Sequence, residues 1–163
     1  MIAIRAATAD DAAQILGFIR ELAEYERAAE QVVATVEQIR VSLTGPEAKA
    51  RALIGEIDGV AAGFAVYFYS YSTWLGRNGI YLEDVYASPM QRGKGLGKAL
   101  LQHLATQAVA EGCGRLEWSV LDWNTPAIEF YDALDAEPLD EWIRYRLSGE
   151  SLRRVATGKD LQR

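Results

Sequence analysis

Apolar and polar positions along the chain divide it into short strands and amphipathic helices. The opening "IAIRAA" predicts a first strand. Ile15, Phe18, Ile19, Leu22 and Tyr25 then recur at helical spacing, which predicts a helix from about Ala9 to Ala29. Thr8 stands at its cap, with Asp10 and Asp11 in the first turn, where the helix dipole favours acids. A second helix fits 35–43 and stops at Gly45-Pro46. "ARALIGEIDGVAAGFAVYFYSYS" reads as two strands joined by a tight turn at Asp58-Gly59. "GIYLEDVYAS" predicts another strand, broken by Pro89, and a helix over 95–111 follows. "RLEWSVLDW" reads as a strand, "TPAIEFYDAL" as a helix with Pro126 in its first turn, and "WIRYRL" as a last strand. From Ser148 the pattern predicts a short helix that frays into a polar end. Strands paired first in hairpins and then separated by helices predict an α/β fold with a mixed sheet. No repeat or long linker interrupts the 163 residues, so 1–163 reads as one domain.

Charge and composition narrow the classes. A formal charge of −6 opposes general nucleic-acid binding, which needs a basic face. No segment has the ~20 continuous apolar residues of a membrane span. "MIAIRAATADD" lacks the layout of a signal peptide, so a cytoplasmic protein is expected. The single cysteine, Cys113, excludes an internal disulfide and reads as a small packing side chain. His103 has no second histidine and no cysteine at ligand spacing, so no metal site is expected.

Against that acidic background, "MQRGKGLGKALLQHLATQAVAEG" concentrates Arg92, Lys94 and Lys98 among Gly93, Gly95 and Gly97 at a helix start. Free amides in a first turn and bare glycine backbone suit a phosphate. The two common nucleotide loops fail on spacing, because each needs a glycine where Lys98 stands. A flexible loop before an ordinary core helix is the plainer alternative.

"ELAEYERAAEQV", "YLEDVYASP", "RGKGLG", "VLDWNTPAIEFY" and "SGESLRRVA" together resemble the GNAT superfamily of N-acetyltransferases, and within it the diamine and thialysine acetyltransferases. The resemblance implies a mostly antiparallel central sheet flanked by helices. It implies that acetyl-coenzyme A is held at its diphosphate by Gln91, Arg92, Gly93, Lys94, Gly95, Leu96 and Gly97. The pantetheine arm would run along Val85, Tyr86 and Ala87, with Asn124 also touching the cofactor. An N-cap role for Asn124 is compatible with this.

The chemistry requires more. A lysine-like ammonium with a pKa of ~10.4 must lose a proton before it can attack a thioester. Glu83 and Asp84 are the obvious carboxylates, although neighbours in a regular strand point to opposite faces. In a regular strand Glu83 sides with Tyr81 and Val85, and Asp84 with Leu82 and Tyr86; a β-bulge would re-aim one of them. The resemblance implies that Glu83 contacts the amine and passes on its proton, that the Val85 N–H stabilises the oxyanion, and that Tyr131 protonates the departing thiolate. Read without it, Glu83 and Asp84 are surface acids and Tyr131 a packing residue. Tyr25, Glu26, Glu83, Asp84, Glu117, Trp118, Ser119 and Glu141 are the expected substrate contacts, and their acids favour a small cationic amine. Asp135 stands where the superfamily usually has glycine. A homodimer is implied, with "WIRYRL" as a plausible contact. A protein or peptide acetyltransferase and a non-catalytic acetyl-coenzyme A sensor are the alternative functions.

Overall fold

Five strands lie side by side in the order in which the chain makes them. β1 (Ile2–Ala6), β2 (Ala50–Ile57), β3 (Val60–Ser72) and β4 (Arg77–Ala87) pair antiparallel, and β5 (Leu116–Trp118) joins β4 in parallel. The computed structural model describes residues 1–158, in two compact units that divide after Leu121. The sheet belongs to the first unit, together with α1 (Ala12–Tyr25), α2 (Val36–Thr44) and α3 (Leu96–Ala110).

The core follows from strand alternation. Phe64 and Val66 of β3, with Ala52, Ile54 and Tyr86, meet Ile15, Leu16 and Phe18 of α1 and Ile39 and Leu43 of α2. The opposite face takes α3, whose Leu96 side chain lies against Gly55 and Gly63. A Cβ on Gly63 would come within 3.0 Å of Leu96 Cδ2 and 2.2 Å of the Tyr86 oxygen, so only glycine admits the helix there. With both faces covered, Ala62 to Tyr67 is buried without a break.

Local chemistry sets the element ends. The tight turn at Asp58-Gly59 forms as expected, with φ values of 52° and 79°. Ala9–Asp11 is a 3-10 turn ahead of α1, held by Asp11, which accepts from the Thr8 N–H and from both ends of the Arg5 guanidinium. Arg5 also donates to Glu56, pinning β1 to β2, and its hydrogen bonds to Asp11 hold that carboxyl far below the usual range. Helix α1 stops at Tyr25, short of the expected Ala29, because Arg27 turns left-handed at φ 60°. The Ala28 and Arg27 N–H groups then close back on the Ala23 and Glu24 oxygens.

The second unit contains α4 (Thr125–Asp132) and α5 (Gly149–Ala156). The expected strand "WIRYRL" does not form among the described residues; Trp142, Ile143 and Tyr145 stand 68%, 77% and 90% exposed. Alternation makes a strand only where another strand accepts its hydrogen bonds, and none is paired with it here. α5 agrees with the helix expected after Ser148, while the last part of the polar end lies outside the described residues. Asp135 takes the left-handed role of the missing glycine, at φ 58°. The Ala136 N–H reaches the Tyr131 oxygen at 3.2 Å and the Asp135 N–H reaches Asp132 at 3.0 Å, a complete helix-ending motif. Asp135→Gly keeps this motif and relieves the left-handed side chain, so it raises stability by roughly 1 kcal/mol. Thermal unfolding checks this, and a lowered midpoint would contradict it.

Candidate functional site

One residue of β4 does not fit the ladder. Leu82 faces Tyr67 and Asp84 faces Val66, and since Val66 and Tyr67 are neighbours, Glu83 is an extra residue. It forms a β-bulge, which bends and twists a strand locally. The expected faces of a regular strand are therefore corrected. Asp84 lies opposite Val66 and shares the α1 face with Tyr86, while Leu82 belongs to the α3 face. Across the bulge Tyr81 returns to the α1 face, its ring tilted against Phe68 at 5.1 Å, whereas Val85 faces the other way opposite Ala65. The bulge thus removes the alternation that would have parted Glu83 from Asp84.

A third acid joins them from the end of α1. Burial first, and then the charges of Glu83 and Glu26, push the Asp84 carboxyl up to about 6. Glu26 is itself raised by burial. Among the described residues none of the three carboxylates makes a hydrogen bond or ion pair. Nor does any group of described acids, histidines and cysteine have the arrangement to hold a metal ion. Asp84 and Glu26 are half-buried and Glu83 is exposed beside them. A half-buried carboxylate without a partner is costly, and a cation from outside lowers that cost.

Beside the acids, β4 has an open edge on the side away from β3. β5 pairs with it only over Ile80–Leu82, and beyond the bulge no described strand lies along that side of Val85, Tyr86 and Ala87. For the same reason β5 ends at Trp118, well short of the strand expected over 115–123. The chain leaves β4 through a 3-10 turn at Pro89–Gln91 and enters the glycine loop, with Gly93 at φ 76° and Gly95 at φ 86°. Gly95 caps α3, and the first helical bond runs from the Ala99 N–H to the Gly95 oxygen. The amides of Leu96, Gly97 and Lys98 precede that bond, as an anion site requires. Leu96 contributes only backbone, since its side chain is buried.

The other expected residues are variously engaged. Arg92 stacks over the rings of Tyr25 and Tyr86, at 4.8 and 5.9 Å, and donates to the Ala87 oxygen. Lys94 donates to Gln91 at 2.7 Å. Glu117 is ion-paired with Arg115 at 2.7 Å, and Ser119 lies 2.7 Å from the Tyr81 hydroxyl. Trp118, opposite Leu82, belongs to the α3 face. In the second unit, Asn124 precedes α4 and its backbone oxygen accepts from Ala127 and Ile128. Tyr131 lies on α4 with its ring 5.4 Å from Phe130, and Glu141 is exposed. Sequence reasoning missed Glu21, which accepts from the Tyr86 hydroxyl at 2.8 Å. Burial, and then Glu21, push that hydroxyl up to about 12. Its spacing, one helical turn before Tyr25, was the available signal.

The model described as the acetyltransferase (GNAT) family matches residues 19–135. A thialysine N-epsilon-acetyltransferase of Bos taurus is 40% identical over 166 residues, covering 95% of this chain and 97% of that protein. An L-ornithine N5-acetyltransferase of Arabidopsis thaliana is 44% identical over 98 residues, 60% of this chain and 43% of that protein. Among solved structures, an integron cassette protein from the mobile metagenome of V. cholerae has a TM-score of 0.79 at 25% identity. The match covers 95% of this chain and 97% of that one.

A Cβ on Gly97 meets nothing within 4 Å, and its φ is not left-handed. Gly97→Leu therefore leaves the fold intact, with a slightly higher melting point, because glycine inside a helix costs about 0.5–1 kcal/mol. If the α3 amides hold a diphosphate, the same change weakens acetyl-coenzyme A by roughly a hundredfold or more, about 2.7 kcal/mol. Calorimetry that shows wild-type affinity would refute the loop assignment.

Proposed function

This chain belongs to the GNAT family of acetyltransferases, and from that membership we propose that it acetylates the terminal amine of a small lysine-like amino acid or diamine. The observation that carries the substrate class is the group of unpaired carboxylates, Glu26, Glu83 and Asp84, beside the open edge of β4. A substrate with more than one positive group would satisfy them. Relatives named for thialysine and ornithine support an amino acid with a side-chain amine.

Acetyl-coenzyme A supplies the activated acetyl group. Its diphosphate suits the first-turn amides of α3 in the Gln91–Gly97 loop, and its pantetheine arm suits the free edge at Val85–Ala87, with Asn124 a further contact. The carboxylates receive the ammonium, and one of them removes its proton. The neutral amine then attacks the thioester carbon, and the Val85 N–H meets the charge that develops on oxygen. Tyr131 gives its proton to the sulfur as the carbon–sulfur bond breaks. The family match crosses the boundary after Leu121, which supports 1–163 acting as one acetyltransferase domain.

The exposed "WIRYRL" segment supports a homodimer, since a second copy would bury its apolar residues. Light scattering that reports a monomer would refute this. No helix among the described residues is long and apolar enough to cross a membrane, and a cytoplasmic site of action fits the lone cysteine.

Thiol release from acetyl-coenzyme A tests the proposal across lysine analogues, ornithine, diamines, neutral alkylamines and lysine peptides. Lysine analogues and diamines turn over with the highest kcat/KM; a preference for neutral amines or peptides would overturn the substrate class. Tyr131→Phe keeps the ring and lowers kcat by ~10²–10⁴, with no recovery from pH 7 to 9.5. Near-wild-type activity in that variant would return Tyr131 to a packing role.

A further inference from the structure

We infer that Asp84, rather than Glu83, accepts the proton of the substrate ammonium, while Glu83 and Glu26 hold the substrate's charge. The inference rests on the acetyl-transfer reading above and departs from the role that resemblance implied for Glu83. The bulge separates the two acids by environment. Glu83 is the extra residue, has no partner across the ladder and stands exposed. Asp84 returns to the ladder opposite Val66, is half-buried, and directly precedes Val85, the backbone position proposed to meet the oxyanion. A proton acceptor must sit where the nitrogen attacks, and Asp84 is the carboxylate tied to that point.

Its surroundings favour the neutral acid. Glu83 beside it in β4 and Glu26 from the end of α1 are the charges that bear on it. On the same face, Tyr86 is bonded to Glu21, and Arg92 is stacked on Tyr25 and Tyr86. Burial first, then the two neighbouring acids, raise the carboxyl from 3.8 to about 6. Relative to an ordinary carboxylate, that gain leaves roughly a hundredfold more of a bound amine neutral.

The protons balance. One passes from the ammonium to the Asp84 carboxylate and then to solvent. The nitrogen lone pair forms the new bond to the acetyl carbon, and the carbon–sulfur bond gives its electrons to sulfur. Tyr131 protonates the sulfur and recovers a proton from the nitrogen, so the products are the amide, the free thiol and one proton in solution.

The pH dependence of kcat/KM in wild type, Asp84→Asn and Glu83→Gln decides the assignment. In wild type the acidic limb rises through about pH 6. In Asp84→Asn that limb disappears, kcat at pH 7 falls by ~10²–10⁴, and activity recovers only as the free amine forms near its own pKa. Glu83→Gln keeps the limb, moved to lower pH by the loss of the neighbouring charge, and loses chiefly in KM. Loss of the limb in Glu83→Gln together with its retention in Asp84→Asn would overturn the inference alone. An absence of thiol release from wild type with any amine would overturn the acetyl-transfer reading and this inference with it.

Stability gives a reading without substrate. Because the folded-state pKa lies above the unfolded value, ionised Asp84 destabilises the fold fully above about pH 6, and this penalty fades as pH falls towards 3.8. Asp84→Asn therefore melts higher than wild type at pH 8, and the gain shrinks between pH 6 and 4. A variant that melts no higher at pH 8 than wild type would contradict the burial on which the inference depends.

Discussion

One extra residue in β4 sets the arrangement on which the proposed chemistry depends. A strand with Glu83 in register would continue its pairing and would send Glu83 and Asp84 to opposite faces. The bulge instead shifts the phase of side chains between Leu82 and Asp84 while the pairing with β3 continues on both sides. Pairing with β5 does not continue beyond Leu82. A backbone edge is thereby left open directly beside the place where the acids gather. A strand edge normally invites another strand, and an extended thioester arm can make the same hydrogen bonds.

Charge is distributed to match. The chain is acidic as a whole, yet Arg92, Lys94 and Lys98 fall together where α3 begins. Arg92 does not face solution alone: stacked on Tyr25 and Tyr86, it ties the glycine loop to the end of α1, where Glu26 stands. The loop proposed to hold the anionic cofactor and the helix end proposed to hold the cationic amine are thus mechanically joined. The left-handed Arg27 closes that helix end and fixes where Glu26 falls.

Much of this was legible in the chain itself. The apolar runs "ALIGEI" and "GFAVYFY" on either side of the Asp58-Gly59 turn locate β2 and β3, and the glycine spacing locates the start of α3. Three features were not legible, each because a non-local or conformational term overrides pattern. Periodicity continues past Tyr25, but the left-handed turn at Arg27 ends α1 regardless. "WIRYRL" alternates as a strand should, but pairing depends on a partner that local sequence does not name. Two adjacent acids in "YLEDVY" raise the question of a bulge, and only the register against Val66 and Tyr67 shows which residue is extra. Asp135 is the converse case: a residue poorly suited to a left-handed helix end adopts it, because the hydrogen bonds back to Tyr131 and Asp132 require that turn.

The most direct test of the account is deletion of Glu83, compared with Glu83→Ala. Deletion leaves Leu82 opposite Tyr67 and Asp84 opposite Val66 in an uninterrupted ladder, whereas Glu83→Ala removes the charge and keeps the bulge. Calorimetric titration with acetyl-coenzyme A separates the two. The bulge account predicts that the deletion variant remains folded and no longer binds acetyl-coenzyme A, while Glu83→Ala binds it as wild type does. Wild-type affinity in a folded deletion variant would show that the open edge does not depend on the bulge, and would contradict the account.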